Sequence, residues 1–349
     1  VGIPRYRLPA EILEREIDAI TSLEGVNLFL NTPVQLEGEG DGDGDGPSLA
    51  SLRRDYDAVF VGPGTHGSMQ MRIPGEDLGG VLHGAQYLRQ LSLAQLGVEG
   101  IEMPQVGQRV AVIGGGNVAI DSAMTAKRLG AEVTIVYRRT RAEMPANDWE
   151  VEEAEEEGIG FEFLATPIEV LGKGDTIAAI RCQRMRLGEP DASGRRRPIP
   201  IEGDTFDMPV DTVIIAIGQT LEDVITDVER TRRGWIVTDP VTLQTNLVNV
   251  FAGGDAVSGP ASVVEAVGAA HRAVESIRRY LTDEDLGQGR SAEPVDISDI
   301  EYYEPADWDH QPRLDMPHSP LDERSGFDEV NLGFDEAMAI AEASRCLSC

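Results

Sequence analysis

The residues whose types and spacing could do chemistry lie first in RVAVIGGGNVAID, Arg109 to Asp121. Gly114, Gly116 and Ala119 form the pattern G-x-G-x-x-A between an apolar run and a helical one. Gly114 allows a tight turn, Gly116 removes the side chain where a pyrophosphate must approach, and Ala119 lets the helix pack close to the strand. Gly115, Asn117 and Val118 complete a turn whose free N–H groups sit at the positive end of the helix dipole. The end of the next strand decides the nucleotide. NAD or FAD wants an acid there for the ribose hydroxyls. This chain has Tyr137, Arg138, Arg139 and, after Thr140, Arg141, while Glu132 lies at the wrong end of the strand. Guanidinium groups match a 2′-phosphate in charge and planar geometry, so the pattern predicts NADPH over NADH. The plainer alternative is that these arginines only balance an acidic surface.

A second group is FAGGDA, where Gly254 and Asp255 end an apolar run ahead of a long helical stretch. An acid in that place can accept hydrogen bonds from the ribityl chain of a flavin, and a helix start offers N–H groups to the ring. A simple turn former would look similar. VFVGPG and VIIAIGQ are two further strand-to-glycine ends. The third group is RCLSC, with Cys346 and Cys349. A four-iron cluster needs four thiolates, and two are present. A redox thiol pair and inert thiols are the alternatives. Cys182 reads as a small strand residue. Asp41, Asp43 and Asp45 alternate as calcium ligands do, but the distal Glu and the flanking spacing of an EF-hand are missing.

These groups need elements to hold them. Ile12, Leu13, Ile17, Ile20 and Leu23 recur at helical steps, so 10–24 is expected to be a helix. A short strand is expected over 26–34 and a hydrated hairpin tip over 37–47. Residues 56–67 read as a strand and glycine turn, and 82–92 as a helix. A strand at RVAVIG, a helix over 117–130 and a strand over 131–139 make one β-α-β unit. The acidic run Glu150 to Glu157 is expected on the solvated face of a helix. Strands near 161–171, 176–187 and 197–210 suggest an antiparallel meander. Buried strands follow at 211–219 and 248–256, then a helix from Ala261 to Leu281. Residues 282–335 read as an extended surface segment, and a last helix runs from Phe334 to about Ala343.

The chain has 349 residues and a formal charge of −31, from 30 basic and 61 acidic side chains. Only Lys127 and Lys173 are lysines; the other basic residues are arginines. Such an acid excess repels nucleic acid and anionic membranes. With the scarcity of lysine it suggests a salt-rich cytoplasm. No apolar run reaches 18 residues, so no membrane span is expected, and a cytoplasmic location is the default. Three cysteines do not make a disulfide scaffold.

The chain resembles the small subunit of glutamate synthase and related NADPH-dependent flavin oxidoreductases, and its tail resembles a subset of that family. GIPRYRLPAEILEREI, IPGEDLGGVLHG, RVAVIGGGNVAIDSA, VTIVYRRTRAEMPANDWEVEEAEEEG, DTVIIAIGQT and VFAGGDAVSGPASVVEAVGAA carry the likeness, over about residues 1–281. The resemblance implies an α/β protein with a nested pair of three-layer Rossmann-like domains, the NADPH domain inserted into the FAD domain. It implies NADPH binding by 101–217, FAD binding by 1–100 and 218–284, and an acidic tail over 285–349. It places Gly114, Gly115, Gly116, Asn117, Val118 and Ala119 on the NADPH pyrophosphate and Arg138, Arg139 and Arg141 on the 2′-phosphate. Gly254, Asp255, Ala261, Ser262 and Val263 go to FAD, and Gly218 and Gln219 to the domain junction. Hydride would pass from NADPH to FAD, and single electrons to iron–sulfur centres, an iron–sulfur protein or a large acceptor subunit. Direct hydride transfer needs no side-chain acid or base, so no catalytic residue is assigned. The family opens with a further strand–glycine turn–helix unit for FAD. Val1 falls where that unit should already have ended, so an incomplete FAD domain is expected in these residues. Cys346 and Cys349 match the start of a [4Fe-4S] module of some relatives, in a longer parent. A disulfide reductase using that pair and a catalytically silent nucleotide-binding subunit are the competing functions.

Overall fold

A computed structural model describes residues 2–35, 46–191, 194–222, 227–292 and 312–345. The chain divides into two compact units. One comprises Val1–Leu23, Ser68–Ile217 and Asp309–Cys349; the other comprises Glu24–Gly67 and Gly218–Trp308.

In chain order, α1 (Ala10–Thr21) and α2 (Leu49–Asp55) precede β1 (Val59–Val61) and β2 (Gly67–Ser68). Then come β3 (Val81–His83), α3 (Gly84–Gln95), β4 (Arg109–Ile113), α4 (Asn117–Arg128) and β5 (Glu132–Tyr137). Next are α5 (Asp148–Glu156), β6 (Gly160–Phe163), β7 (Ala165–Lys173), β8 (Thr176–Pro190) and β9 (Arg196–Pro209). The remainder is β10 (Thr212–Ile215), β11 (Gln219–Thr220), β12 (Val250–Ala252), α6 (Asp255–Ser258), α7 (Val263–Leu281) and α8 (Glu336–Ala343).

The first unit is built on a five-stranded sheet in the order β3-β10-β4-β5-β6, parallel throughout. The central strands are apolar along their length because both faces are covered. Val110, Val112, Ile135 and Ile214 pack with Ile120, Met124 and Val151 of the helices. Ala111, Ile113, Val136, Val213 and Ile215 pack with Val170, Ile180 and Cys182 of the antiparallel sheet β7-β8-β9. Each fully buried Ile or Val contributes roughly 1.5–3 kcal/mol. The layers are therefore helix, parallel sheet and antiparallel sheet.

Three expectations change here. Residues 161–171 are not one strand. Leu164 has φ 54° and donates its N–H to the Arg139 carbonyl, 3.1 Å away, which ends β6 in the parallel sheet before β7 begins. The acidic run is not simply a solvated face. Glu150 and Glu153 are buried, and the Glu157 side chain is only 6% exposed, because distant cations meet them. Arg7 Nη1 lies 2.9 Å from Glu150, and Arg128 makes a bidentate pair with Glu157 at 2.7 and 2.9 Å. Arg7 also pairs with buried Asp121, and Arg128 stacks 4.1 Å over the Tyr6 ring. The described part of 282–335 is not merely draped. Val330 is buried in the same core as Tyr6 and donates its N–H to the Tyr6 carbonyl at 3.0 Å, and His318 Nδ1 lies 3.6 Å from Glu153.

In the second unit β1 and β12 pair in parallel. Leu49, Val61, Val228, Ile236, Val250, Ala252 and Ala256 form its core. The strand expected over 26–34 is absent. Leu28, Phe29 and Leu30 are 62–71% exposed, and Asn31 takes φ 52°. A strand needs a partner, and among the described residues only Gln35 finds one, bridging to Ser48. Most of the expected hairpin tip, with Asp41, Asp43 and Asp45, lies outside the described residues, as do Cys346 and Cys349.

Candidate functional site

The β4–α4 turn is organised by three glycines with three different reasons. Gly114 has φ 146°, and a Cβ there would lie 2.2 Å from the Ala216 carbonyl oxygen. A Cβ on Gly115 would lie 2.6 Å from the Tyr137 ring, which is itself fixed by a 2.7 Å hydrogen bond from its hydroxyl to the Glu143 carbonyl. Gly116 differs. Its φ of −97° suits any residue, and the nearest atom to an added Cβ is Pro145 Cγ at 3.7 Å. Among the described residues neither the backbone angle nor a close neighbour requires glycine at 116. Gly116 caps α4 without any side-chain hydrogen bond, so the helix start retains donors for an anion. Asn117 is exposed, Val118 half-buried and Ala119 buried against the strand.

At the end of β5 the three arginines do different things. Arg138 is exposed. Arg139 is buried, donating from Nε to the Arg196 carbonyl and from Nη2 to Asp191, each at 2.7 Å. Arg141 is held by Glu155 and, at 3.4 Å, by Glu152 of α5. Of the three, Arg138 is the most exposed residue, the Arg141 side chain is 35% exposed, and Arg139 is buried.

In the second unit, β12 runs into Gly253, Gly254 and Asp255. Asp255 does not lead straight into a long helix. It opens the four-residue α6, a turn at Gly259 (φ 81°) follows, and Ser262 then caps α7. Asp255 accepts the Ala261 N–H at 3.2 Å. Partial burial raises its pKa, which Ala261 and His66 offset in part and Glu265 reinforces. Ser262 and Glu265 cap each other reciprocally, so they consume part of the donor set expected at this helix start. The N–H groups of Val263 and Val264 are the first-turn donors outside that exchange. Gln219 accepts from Thr65 Oγ1 at 3.5 Å, and the division between the units falls between Ile217 and Gly218.

A cleft of about 410 Å³ adjoins Gly254, lined among others by Gly253, Glu265, Gly268, Ala269 and Arg272. Sequence reasoning missed Gly268. It sits inside α7, where glycine costs about 1 kcal/mol against alanine, yet apart from its chain neighbours and its own helix backbone no described atom lies within 4 Å of its Cβ position. A glycine inside VEAVGAA was the available signal. Among the described residues no group of three or more His, Cys, Asp or Glu could hold a metal ion. Cys182 is fully buried, and burial pushes its thiol up to about 12, in keeping with a small residue packed in a strand.

A parallel sheet with a glycine turn feeding an uncapped helix defines a Rossmann-type dinucleotide-binding protein. The chain belongs to the pyridine nucleotide-disulphide oxidoreductase family, whose profile matches residues 10–270. It is 44% identical over 366 residues to the NADP(+)-dependent formate dehydrogenase subunit beta of Moorella thermoacetica, covering 100% of this chain and 49% of that protein. It is 37% identical over 288 residues to a putative glutamate synthase [NADPH] small chain of Cereibacter sphaeroides, covering 80% and 67%. The chain thus spans about half the length of the first of these relatives. The FprA structure from Mycobacterium tuberculosis in complex with NADPH matches with a TM-score of 0.58 and 20% identity, over 68% of this chain and 66% of that one. That likeness establishes the fold, in agreement with the Rossmann-like architecture expected from the sequence.

Proposed function

We propose that this chain is the nucleotide-binding part of an NADPH-dependent flavin oxidoreductase that passes electrons through FAD to iron–sulfur centres and an acceptor subunit, in the cytoplasm. The single observation that carries the reading is Gly116: an open glycine, with no internal reason to be one, at the uncapped start of α4. When bound, NADPH supplies a hydride, and FAD accepts it and releases electrons singly.

The chain's residues bind and align. Gly114 and Gly115 fix the turn, while Gly116 and the Asn117 and Val118 N–H groups receive the pyrophosphate. Arg138 meets the 2′-phosphate. Residues 101–217 form the core of this NADPH domain. Of the stretches 1–100 and 218–284 expected for the FAD domain, 24–67 and 218–284 lie in the second unit, with Gly254, Asp255 and the Ala261–Val263 segment toward the flavin end and Gly218 and Gln219 at the junction. The open cleft with Gly268 suits a flat group lying against α7. The pyrophosphate end of FAD calls for a further glycine turn, for which the described residues of the second unit offer no equivalent of Gly114–Ala119. The tail 285–349 leads to Cys346 and Cys349, proposed ligands of a [4Fe-4S] cluster in a longer protein. Relatives named as beta subunit and small chain support an acceptor subunit as partner.

The test is reduction of an artificial one-electron acceptor by the full-length protein, with NADPH and NADH compared. A marked preference for NADPH and flavin and iron–sulfur absorbance bands are expected. Equal use of both nucleotides, or a protein without flavin, would refute the proposal.

A further inference from the structure

Residues 4–9 were expected with the FAD stretch, yet they belong to the first unit. There Arg7 bridges two helices with a side chain that is only 12% exposed. Its Nε donates to Asp121 of α4, and its Nη1 lies 2.9 Å from Glu150 of α5. Its guanidinium also lies 5.5 Å from the centroid of the Trp149 ring. Tyr6 adds a hydrogen bond from its hydroxyl to Asp121 at 3.4 Å.

Both carboxylates are one step from the β4–α4 turn. Asp121 lies about one helical turn behind Asn117, at the start of α4. Glu150 accepts from the Asn147 N–H at 3.3 Å and from Asn147 Nδ2 at 3.0 Å, which fixes the chain just ahead of α5. That stretch is built into the turn. The Ala146 N–H donates to the Gly115 carbonyl at 3.1 Å, and Pro145 Cγ is the atom nearest to a Cβ on Gly116, at 3.7 Å. One guanidinium thus ties the helix that follows the turn to the loop that walls it. Burial pushes the Asp121 carboxyl up, and the charge and hydrogen bond of Arg7 chiefly oppose this. Without Arg7, Asp121 would be a buried charge lacking its cation, one turn from the helix start. The pair of Arg128 and Glu157 is the matching tie at the far ends of the same two helices.

We infer that Arg7 is a positioning residue of the NADPH site: it holds the start of α4 and the Pro145–Ala146 loop in register, so that the N–H groups of the turn converge on the pyrophosphate, and it does not touch the nucleotide itself. The inference rests on the NADPH reading above. It gives the N-terminal segment a task in the NADPH unit.

The experiment is fluorescence titration of the full-length protein with NADPH, paired with thermal unfolding and hydrogen exchange, at a temperature where the variants are folded. Arg7→Met binds NADPH roughly tenfold more weakly or worse, and amide exchange quickens over 113–121. Arg7→Lys keeps the charge but not the fork, and recovers part of the affinity. Glu157→Met also lowers the melting temperature, but leaves NADPH affinity and exchange over 113–121 unchanged. Should Arg7→Met not fold, Arg7→Lys and Glu150→Gln carry the same test, each weakening NADPH binding more than Glu157→Gln does. If the Arg7 variants bind as wild type does, or if the Glu157 variants lose as much affinity, Arg7 is only structural and the NADPH reading stands. If wild-type protein does not bind NADPH, both fall.

Discussion

Gly116→Ala separates a glycine kept for a ligand from one kept for the fold. At 116 the backbone is extended and an added methyl meets nothing closer than 3.7 Å. Folding should be unharmed. Alanine restricts the unfolded chain more than glycine, so a gain of about 0.4–1 kcal/mol is expected. In the proposed site the same methyl would stand where the pyrophosphate approaches. Losing one charge-assisted hydrogen bond costs about 1.5–3 kcal/mol, or roughly 10- to 150-fold in affinity. Gly114→Ala is the opposite case. Its φ of 146° and the 2.2 Å approach to the Ala216 oxygen imply a folding loss of about 2–5 kcal/mol. The assay pairs thermal unfolding with fluorescence titration of NADPH. Gly116→Ala should melt at or slightly above the wild-type temperature and bind NADPH at least tenfold more weakly. Unchanged NADPH affinity would show that the turn is not the cradle. A large drop in melting temperature would show that the space at 116 is not open.

Two further predictions concern the charges under α5. Arg128→Met leaves Glu157 buried without its bidentate partner and should cost about 3–5 kcal/mol in urea unfolding, most of it recovered in the double variant Arg128→Met/Glu157→Met. For Glu153, burial raises the pKa; Arg7, His318 and Arg324 pull it down, and Glu157 raises it. A carboxyl whose folded pKa lies above its ordinary value penalises the fold when ionised, so the penalty is full above the folded pKa and fades as pH falls through it toward the ordinary value. Glu153→Gln should therefore raise the melting temperature at pH 7–8, with the gain shrinking toward pH 4; a gain independent of pH would refute this.

The β4–α4–β5 unit was legible because everything that defines it is local: an apolar strand, a turn with fixed glycine spacing, a helix and a second strand. Gly114 and Ala119 do what their spacing suggests. The roles of Arg138, Arg139 and Arg141 were not separable in sequence. Each is an arginine at one strand end, and what distinguishes them is Asp191 and Glu155, which sequence distance hides. The acidic helix misled for the same reason, since Arg7, Arg128 and Arg324 reach it from three other segments. The break at Leu164 was invisible because a single residue at positive φ leaves no trace in hydrophobic alternation. Gly268 was overlooked because its lack of neighbours is a three-dimensional fact.

The buried partnership of Tyr6 and Val330 has a consequence for how the protein is made. Their side chains share one core, and the Val330 N–H reaches the Tyr6 carbonyl. Since a ribosome delivers the chain from its N-terminal end at roughly 5–20 residues per second, the core around α4 waits for Val330 long after its own strands have emerged. During that interval Tyr6, Arg7 and the acidic helix have no finished lid. A translational stall before residue 330 would leave the β4–α4 glycine turn attached to an unfinished core.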